Sequence, residues 1–281
     1  MSESQFLRVA LIVALLVSPV AVPAALAEEG AESIEEVVVV GSRRAGRTAT
    51  DSPVPVDVVA GDDFNNQGTS DMDDLLRNLL PSYNVTAQSI SDAATLTRPA
   101  NLRGLPPDNT LILINGKRHR RSSVIAELGG SLAAGSQGPD LAVIPTLAID
   151  RVEVLRDGAA AQYGSDAIAG VINFALKEDR EGFTIDGRYG EYYEGDGALK
   201  QIGANLGLPL GPDGFANLSL QWRDVEASSR SLPRTDAQAL IDTGNSDVVQ
   251  PAQIWGQPEI KDDFAFFLNS AIQLTDSQEL Y

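Results

Sequence analysis

The side chains of this 281-residue chain that could do chemistry are concentrated in one basic run and in the polar segment that follows it. The run consists of Lys117, Arg118, His119, Arg120 and Arg121. Guanidinium and ammonium groups bind carboxylates and phosphates, so the run predicts a patch for an anionic ligand group. The alternative is that these cations pair with acidic groups of the protein itself, which carries 39 acidic against 21 basic residues.

Nucleophilic catalysis is a second possibility. Residues 129–133 read Gly-Gly-Ser-Leu-Ala, which nearly matches the Gly-x-Ser-x-Gly nucleophile elbow. Ser131 would be the nucleophile, and His119, the single histidine of the chain, would be its base. The final glycine is missing and no helical pattern follows, so the sequence disfavours a secreted hydrolase and predicts that the chain is not an enzyme.

Composition narrows the remaining chemistry. The chain has no cysteine and one histidine, which excludes a disulfide framework, a thiolate metal site and a histidine metal cluster. We therefore predict no cofactor and no metal site. The formal net charge of −18 argues against nucleic acid as the main partner, because phosphate backbones bind basic surfaces.

The elements that position these residues centre on Leu141–Lys177. Ile149–Arg156 alternates in polarity, which predicts a half-buried strand with Val152 and Val154 on one face and Arg151 and Glu153 on the other. A turn at Asp157–Gly158, one helical turn at Ala159–Tyr163 that ends at Gly164, and a strand at Val171–Leu176 follow.

Shorter elements precede this core. Pro53–Val59 alternates valines with prolines, which predicts an edge strand. Ser70 is a predicted cap for an amphipathic helix that stops at Pro81. Thr110–Ile114 reads as a strand that Asn115–Gly116 turns into a hairpin. The helix has its apolar face at Met72, Leu75, Leu76 and Leu79.

From residue 182 onward the pattern changes to strands of about ten residues with one apolar and one polar face, which is typical of outer-membrane barrels. Gly211–Gly214 is a tight turn, whereas Asp224–Asp263 is a long polar connection. A soluble β-sandwich also alternates, but it does not explain this turn–loop asymmetry. We count about four strands, whereas plugged barrels use about twenty-two. We therefore expect an N-terminal fragment with an incomplete barrel.

The N-terminus predicts export. Met1–Ala27 contains the apolar run Val9–Val17 and ends in Ala25-Leu26-Ala27, a small-residue signal-peptide cleavage site. Val37–Val40 is a run of four valines, which favours an extended peptide. Such a peptide can add as a strand to the edge of another protein, or it can form the first strand of its own domain.

The central stretch resembles the plug domain of TonB-dependent outer-membrane receptors. The resemblance is carried by residues 149–158, 163–165 and 167–173. It implies an α+β plug domain with a mixed small sheet and short helices at 51–178, followed at 182–281 by antiparallel transmembrane β-barrel strands. Residues 28–50 would be the TonB box and its linker. The implied TonB-binding residues are Ile34, Glu35, Glu36, Val37, Val38, Val39 and Val40.

The resemblance also implies that the protein lies in the outer membrane. Its implied partners are the periplasmic C-terminal domain of TonB, outer-membrane lipid and a small chelate or vitamin, most commonly a ferric siderophore. Loops at Thr86–Pro99 and Lys117–Gly138 would face outside and bind substrate. The predicted substrate contacts are Arg98, Lys117, Arg118, His119, Arg120 and Arg121, and the predicted plug–barrel contacts are Arg103, Glu153 and Arg156.

A ligand-sensing receptor without transport is the alternative within this resemblance. Receptors of that kind usually carry an extra folded domain before the TonB box. Only a few residues separate Glu28 from Ile34, which favours transport.

Overall fold

A computed structural model describes most of the chain after residue 54. The described residues are 37–38, 47–48, 55–65, 67, 69, 71–85, 97, 100–125, 134–157, 159–228, 232–248, 256, 259–275 and 278–281. The predicted signal peptide lies outside them. We call the described residues from 55 to 177 the globular domain.

The globular domain is built on a mixed five-stranded sheet. Its strands are β3 Val56–Ala60, β6 Thr110–Ile114, β7 Lys117–Arg118, β8 Ile149–Leu155 and β9 Gly170–Leu176. Their order is β3-β8-β9-β6-β7, and every neighbouring pair is antiparallel except β6 and β9. The strand that prolines precede, β3, lies at an edge, as predicted.

Both faces of this sheet are covered. One face packs against a cluster that includes Leu75, Leu76 and Phe174, and the other against a cluster that includes Leu111 and Val171. The prediction that β8 is half-buried was therefore wrong. All seven residues of β9 are buried, and β8 is buried on both faces from residue 152 to residue 155.

Three short helices border the sheet: α1 Gly61–Asn65, α2 Met72–Leu79 and α3 Ala160–Tyr163. Helix α2 buries its predicted apolar face, but its cap is Asp71 and not Ser70. The Asp71 carboxylate accepts hydrogen bonds from the backbone N–H of Asp73 (3.1 Å) and Asp74 (3.3 Å). A carboxylate at this position also complements the positive end of the helix dipole. Helix α3 ends at Gly164, whose φ is 96°, as predicted.

Two short ladders accompany the main sheet. Strand β4 (Tyr83–Val85) pairs with β5 (Ala100–Leu102), and β1 (Val37–Val38) pairs with β2 (Arg47–Thr48). The β6–β7 hairpin closes through Asn115 and Gly116, with φ values of 48° and 72°. Left-handed conformations at both turn residues are those of a type I′ hairpin, so this prediction is confirmed.

A second sheet follows, which we call the C-terminal sheet. Its strands are β10 Phe183–Gly190, β11 Leu199–Leu210, β12 Gly214–Val225, β13 Ile260–Thr275 and β14 Gln278–Leu280. They pair antiparallel in chain order, and helix α4 (Thr235–Asp242) lies in the connection between β12 and β13. Among the described residues the C-terminal sheet is open at both edges. The predicted fold class is confirmed, with one short strand more than the sequence indicated.

The two faces of the C-terminal sheet differ as the alternation predicts. The exposed face is apolar and carries Phe183, Ile185, Ile202, Leu220, Phe264, Phe266 and Leu268. The buried face is rich in amides and hydroxyls, and it carries Gln201, Asn205, Asn217, Ser219, Gln221 and Asn269. None of the described helices is long and apolar enough to cross a membrane.

Candidate functional site

The basic run lines a cavity of about 290 Å³ on the globular domain. Strand β7 contributes Arg118, and the segment after it contributes His119, Arg120 and Arg121. The remaining polar lining is Asp108, Thr110, Gln137 and Asp166. The structure therefore brings four of the predicted substrate-binding residues together around one opening.

Two of these cations are held by carboxylates of the same domain. Arg118 pairs with Asp166 and donates a 3.1 Å hydrogen bond to the carbonyl of Tyr163. Arg121 lies 3.8 Å from Asp108 and 3.7 Å from Asp166. Pairing within the protein, the alternative considered above, thus accounts for these two arginines.

The other members of the run differ in their surroundings. The Lys117 ammonium lies 3.6 Å from the centre of the Tyr281 ring, a cation–π contact. Arg120 is exposed and forms no ion pair with any described residue. Burial lowers the pKa of His119, and the positive charge of Arg120 acts in the same direction, against the opposing influence of Asp140. His119 is therefore mostly neutral at pH 7, and Arg120 carries the positive charge of the cavity that no described carboxylate pairs with.

The three predicted plug–barrel residues have partners inside the globular domain. Arg103 lies 3.8 Å from Asp157, and Arg156 lies 2.6 Å from Asp57 across the β3–β8 pair. That these two arginines also bridge to the barrel stays a prediction.

Glu153, the third, is fully buried in the middle of β8. It accepts hydrogen bonds from Arg151 Nε at 3.0 Å and from Asn173 Nδ2 at 3.1 Å. The Asp150 carboxylate binds the same arginine at 2.7 Å. That Glu153 also contacts the barrel stays a prediction.

Other residues, which the sequence pattern did not predict, join the globular domain to the C-terminal sheet. Asn115 donates to Asn269 of β13 at 3.2 Å, and Arg188 of β10 donates to the carbonyl of Thr69 at 3.0 Å. Leu147 packs against Gly203 of β11, and Phe267 packs against the core of the globular domain. Isolated glycines in strands mark close approach, which is the signal that could have revealed Gly203.

Part of the predicted TonB-binding segment is described. Val37 lies opposite Thr48 and Val38 opposite Arg47 in a two-stranded ladder that is separate from the five-stranded sheet of the globular domain. Ile34, Glu35, Glu36, Val39 and Val40 lie outside the described residues, as do Arg98 and Ser131. Among the described residues, no three acidic or histidine side chains converge on a potential metal site.

A family model matches residues 48–171 and is described as the TonB-dependent Receptor Plug Domain. This match contains all residues that line the basic cavity. It also contains strands β3, β6, β7 and β8 of the globular domain and ends at the second residue of β9. It ends before the C-terminal sheet begins.

Relatives extend the similarity beyond that domain. The ferric enterobactin receptor PirA of Pseudomonas aeruginosa is 32% identical over 191 residues, which cover 65% of this chain and 25% of the relative. The ferrienterobactin receptor of Escherichia coli is 33% identical over 165 residues, covering 56% of this chain and 21% of the relative. The chain thus spans about a quarter of the length of the curated relatives it matches.

The fold is similar to a solved receptor structure. The siderophore receptor PirA from Acinetobacter baumannii aligns with a TM-score of 0.53 and 27% identity. The alignment covers 80% of this chain and 30% of that one, so it includes strands of the C-terminal sheet as well as the globular domain.

Proposed function

Because this chain carries the plug domain of the TonB-dependent receptors, followed by antiparallel strands of their barrel, we propose that it serves energised uptake across the outer membrane. The plug domain is the globular domain described above. The substrate we propose is a ferric siderophore, the class named for the relatives above. Uptake moves the substrate without making or breaking its bonds, so no residue is assigned a catalytic role.

The observation that carries this proposal is how the plug domain meets the C-terminal sheet. The sheet turns an apolar face away from the plug domain and a face of buried amides toward it. Asn269 and Phe267 of β13 both contact the plug domain from that inner face. An outward apolar face is what lipid requires of a barrel wall, and the chain is an outer-membrane protein.

Strand direction supports an extracellular position for the basic cavity. Strand β9 leads into β10, whose first residue, Phe183, pairs near the Gly211–Asp213 turn. Strand β6 runs parallel to β9, so its Asn115 end lies toward that turn and its Asp108 end lies away from it. Short turns of bacterial barrels face the periplasm. We therefore place the Asp108–Arg121 side of the cavity toward the outside, where an anionic chelate arrives.

The N-terminal segment is the proposed TonB contact. Val37 and Val38 are extended and belong to a ladder of only two residue pairs. Such a short ladder offers little resistance to exchange, and TonB can pair with an extended peptide as an added strand. Substrate binding would favour the state in which this segment is accessible from the periplasm. TonB would then pull on the plug domain and open a path through the barrel.

Uptake of iron from labelled ferric siderophores tests the proposal in cells that carry the full-length receptor gene. Deleting residues 34–40 should abolish uptake while leaving substrate binding to the cell surface unchanged. Deleting seven residues from the long connection between β12 and β13 is the matched control for shortening the chain. Uptake that survives the first deletion would contradict the TonB contact, and the lack of any siderophore bound or transported would contradict the substrate class.

A further inference from the structure

One side chain of the C-terminal sheet binds the plug domain at two separate points. Asn269 Oδ1 accepts the 3.2 Å hydrogen bond from Asn115 Nδ2, at the tip of the β6–β7 hairpin. Asn269 Nδ2 donates a 2.9 Å hydrogen bond to the carbonyl of Lys177, where the chain leaves β9. Asn269 is 7% exposed, so its amide has little access to water as a replacement partner.

The hairpin tip is held in the orientation this contact needs. Asn115 Oδ1 accepts a 2.8 Å hydrogen bond from the backbone N–H of Leu176, which turns Asn115 Nδ2 toward β13. The backbone of Asn115 is left-handed, a conformation that few residue types other than glycine and asparagine adopt. Both amides therefore use donor and acceptor together, which is the arrangement that specifies a single geometry.

The contact continues into the centre of the plug sheet. The backbone N–H of Gly116 donates to Asn173 Oδ1 at 2.8 Å, and Asn173 Nδ2 donates to the buried Glu153 at 3.1 Å. Hydrogen bonds thus connect β8 to β9 and β9 to Gly116, and the peptide bond of the hairpin turn continues this connection to Asn115 and its contact with β13. Moving the hairpin away from the wall would break polar contacts that are shielded from water.

We propose that Asn269 and Asn115 form a latch that positions the plug domain on the barrel wall and must open before the plug moves. Asn269 is a positioning residue, because it acts through the hairpin and lies outside the basic cavity. That the latch is part of the transport cycle rests on the proposed function, whereas its role in holding the plug on β13 does not.

Hydrogen exchange of the purified full-length receptor tests the latch directly. Asn269→Ala should accelerate exchange of residues 110–120 and 170–178 by roughly tenfold, since two shielded hydrogen bonds are lost. Asn205→Ala is the matched control, because Asn205 is a buried asparagine of the inner face that bonds to Asn217 and Ser219 within the sheet, two strands away from β13. It should leave both plug segments as protected as before.

A second variant keeps the test decisive if Asn269→Ala fails to assemble. Asn115→Gly retains the left-handed turn but removes the amide, so it should accelerate the same segments. In the double variant, exchange of residues 110–120 should accelerate by less than the product of the two single effects, because both substitutions break the same Asn115–Asn269 hydrogen bond. Unchanged exchange in Asn115→Gly, or fully additive acceleration in the double variant, would overturn the latch.

Uptake by the same variants separates the latch from the proposed function. If plug displacement limits transport, Asn269→Ala should raise the maximal uptake rate and leave the half-saturating substrate concentration within about twofold. Accelerated exchange with no siderophore uptake, even by the unchanged receptor, would refute the function and leave the latch standing. Normal uptake with unchanged exchange in Asn269→Ala would refute the latch alone.

Discussion

Leu147 lies directly over Gly203, so closely that a Cβ built at Gly203 would overlap the Leu147 Cδ1. Leu147 belongs to the 3-10 turn Thr146–Ala148 of the plug domain, and Gly203 lies on the inner face of β11. The leucine is 2% exposed. Because glycine has no side chain, Gly203 leaves space on β11 for the Leu147 side chain of the plug domain.

Enlarging Gly203 should therefore displace the plug domain from the wall. Gly203→Val should lower the free energy of local opening around residues 146–150 by about 1–3 kcal/mol, because the added methyl groups overpack the contact. Hydrogen exchange of the full-length receptor measures this change. Adding Leu147→Ala to Gly203→Val should restore part of the loss.

Gly187→Val supplies the control for that experiment. Gly187 lies in β10, and a Cβ there would meet nothing within 4 Å. The substitution should leave the 146–150 segment unchanged. If both valine substitutions change exchange of residues 146–150 equally, then Leu147 does not pack against Gly203.

The Arg151 guanidinium allows a matched comparison of two carboxylates. Glu153 is buried, whereas the Asp150 side chain is 51% exposed, and both bind Arg151. Glu153→Ala should lower the opening free energy of β8 and β9 by about 1–3 kcal/mol, because Asn173 loses a shielded acceptor. Asp150→Ala should change it by less than about 1 kcal/mol, as exposed ion pairs do. Exchange of residues 149–155 and 170–176 measures both, and a larger effect for Asp150→Ala would contradict the assignment.

Removing the positive charge of Arg120 should lower the affinity of the basic cavity for substrate. Arg120→Gln should weaken binding of an anionic ferric siderophore roughly five- to tenfold, because no carboxylate among the described residues pairs with its charge. The effect should shrink as salt is raised, since the arginine is exposed. Equilibrium titration of the full-length receptor provides the affinity.

Arg77→Gln is the control for that charge change. Arg77 is an exposed arginine of helix α2 that pairs with Asp74 at 2.9 Å, away from the cavity. Its removal should leave affinity within about twofold. If Arg120→Gln binds as tightly as the unchanged receptor, then the cavity does not hold the substrate's negative groups.

His119 gives the cavity a pH dependence of defined sign. Burial lowers the pKa of His119, so the unfolded segment binds a proton more readily than the folded one. Stability from this group is therefore complete above the unfolded pKa of about 6.5 and is lost as pH falls through the lowered folded pKa. Protease cleavage within residues 117–125 should accelerate between pH 7.5 and pH 5.5, after correction for the activity of the protease. His119→Gln should remove that acceleration, and a variant that keeps it would show that another group titrates.

Patterns set by immediate surroundings were readable from the sequence. The alternation at residues 183–189 and 216–222 predicted two-faced strands, because the apolar and polar faces of a strand take alternate side chains. Asn115–Gly116 predicted its turn because few other residues adopt both left-handed conformations. The cap of α2 was misplaced by one residue, since Ser70 and Asp71 are both good caps and only the backbone path chooses between them.

Long-range contacts were not readable in the same way. Asn115 and Asn269 are 154 residues apart, and neither asparagine differs locally from one that faces water. Glu153 sits in a pattern of alternating polarity, yet packing on both faces of β8 buries it completely. Its burial depends on the side chains from other parts of the sequence that pack on both faces of β8. The basic run was found, but its division into paired and unpaired cations depends on Asp108 and Asp166, which come from separate elements.

Disulfide trapping between the N-terminal segment and TonB tests the central claim most directly. A cysteine at Val38 of the full-length receptor would be paired with single cysteines placed along the edge strand of the TonB C-terminal domain, in cells supplied with or without ferric siderophore. We expect a cross-link that increases when the siderophore is added and that follows the register of an added strand. A cysteine at Ile185, on the apolar face of β10, should give no cross-link. Absence of any cross-link at Val38 with every siderophore that the receptor binds would contradict the account.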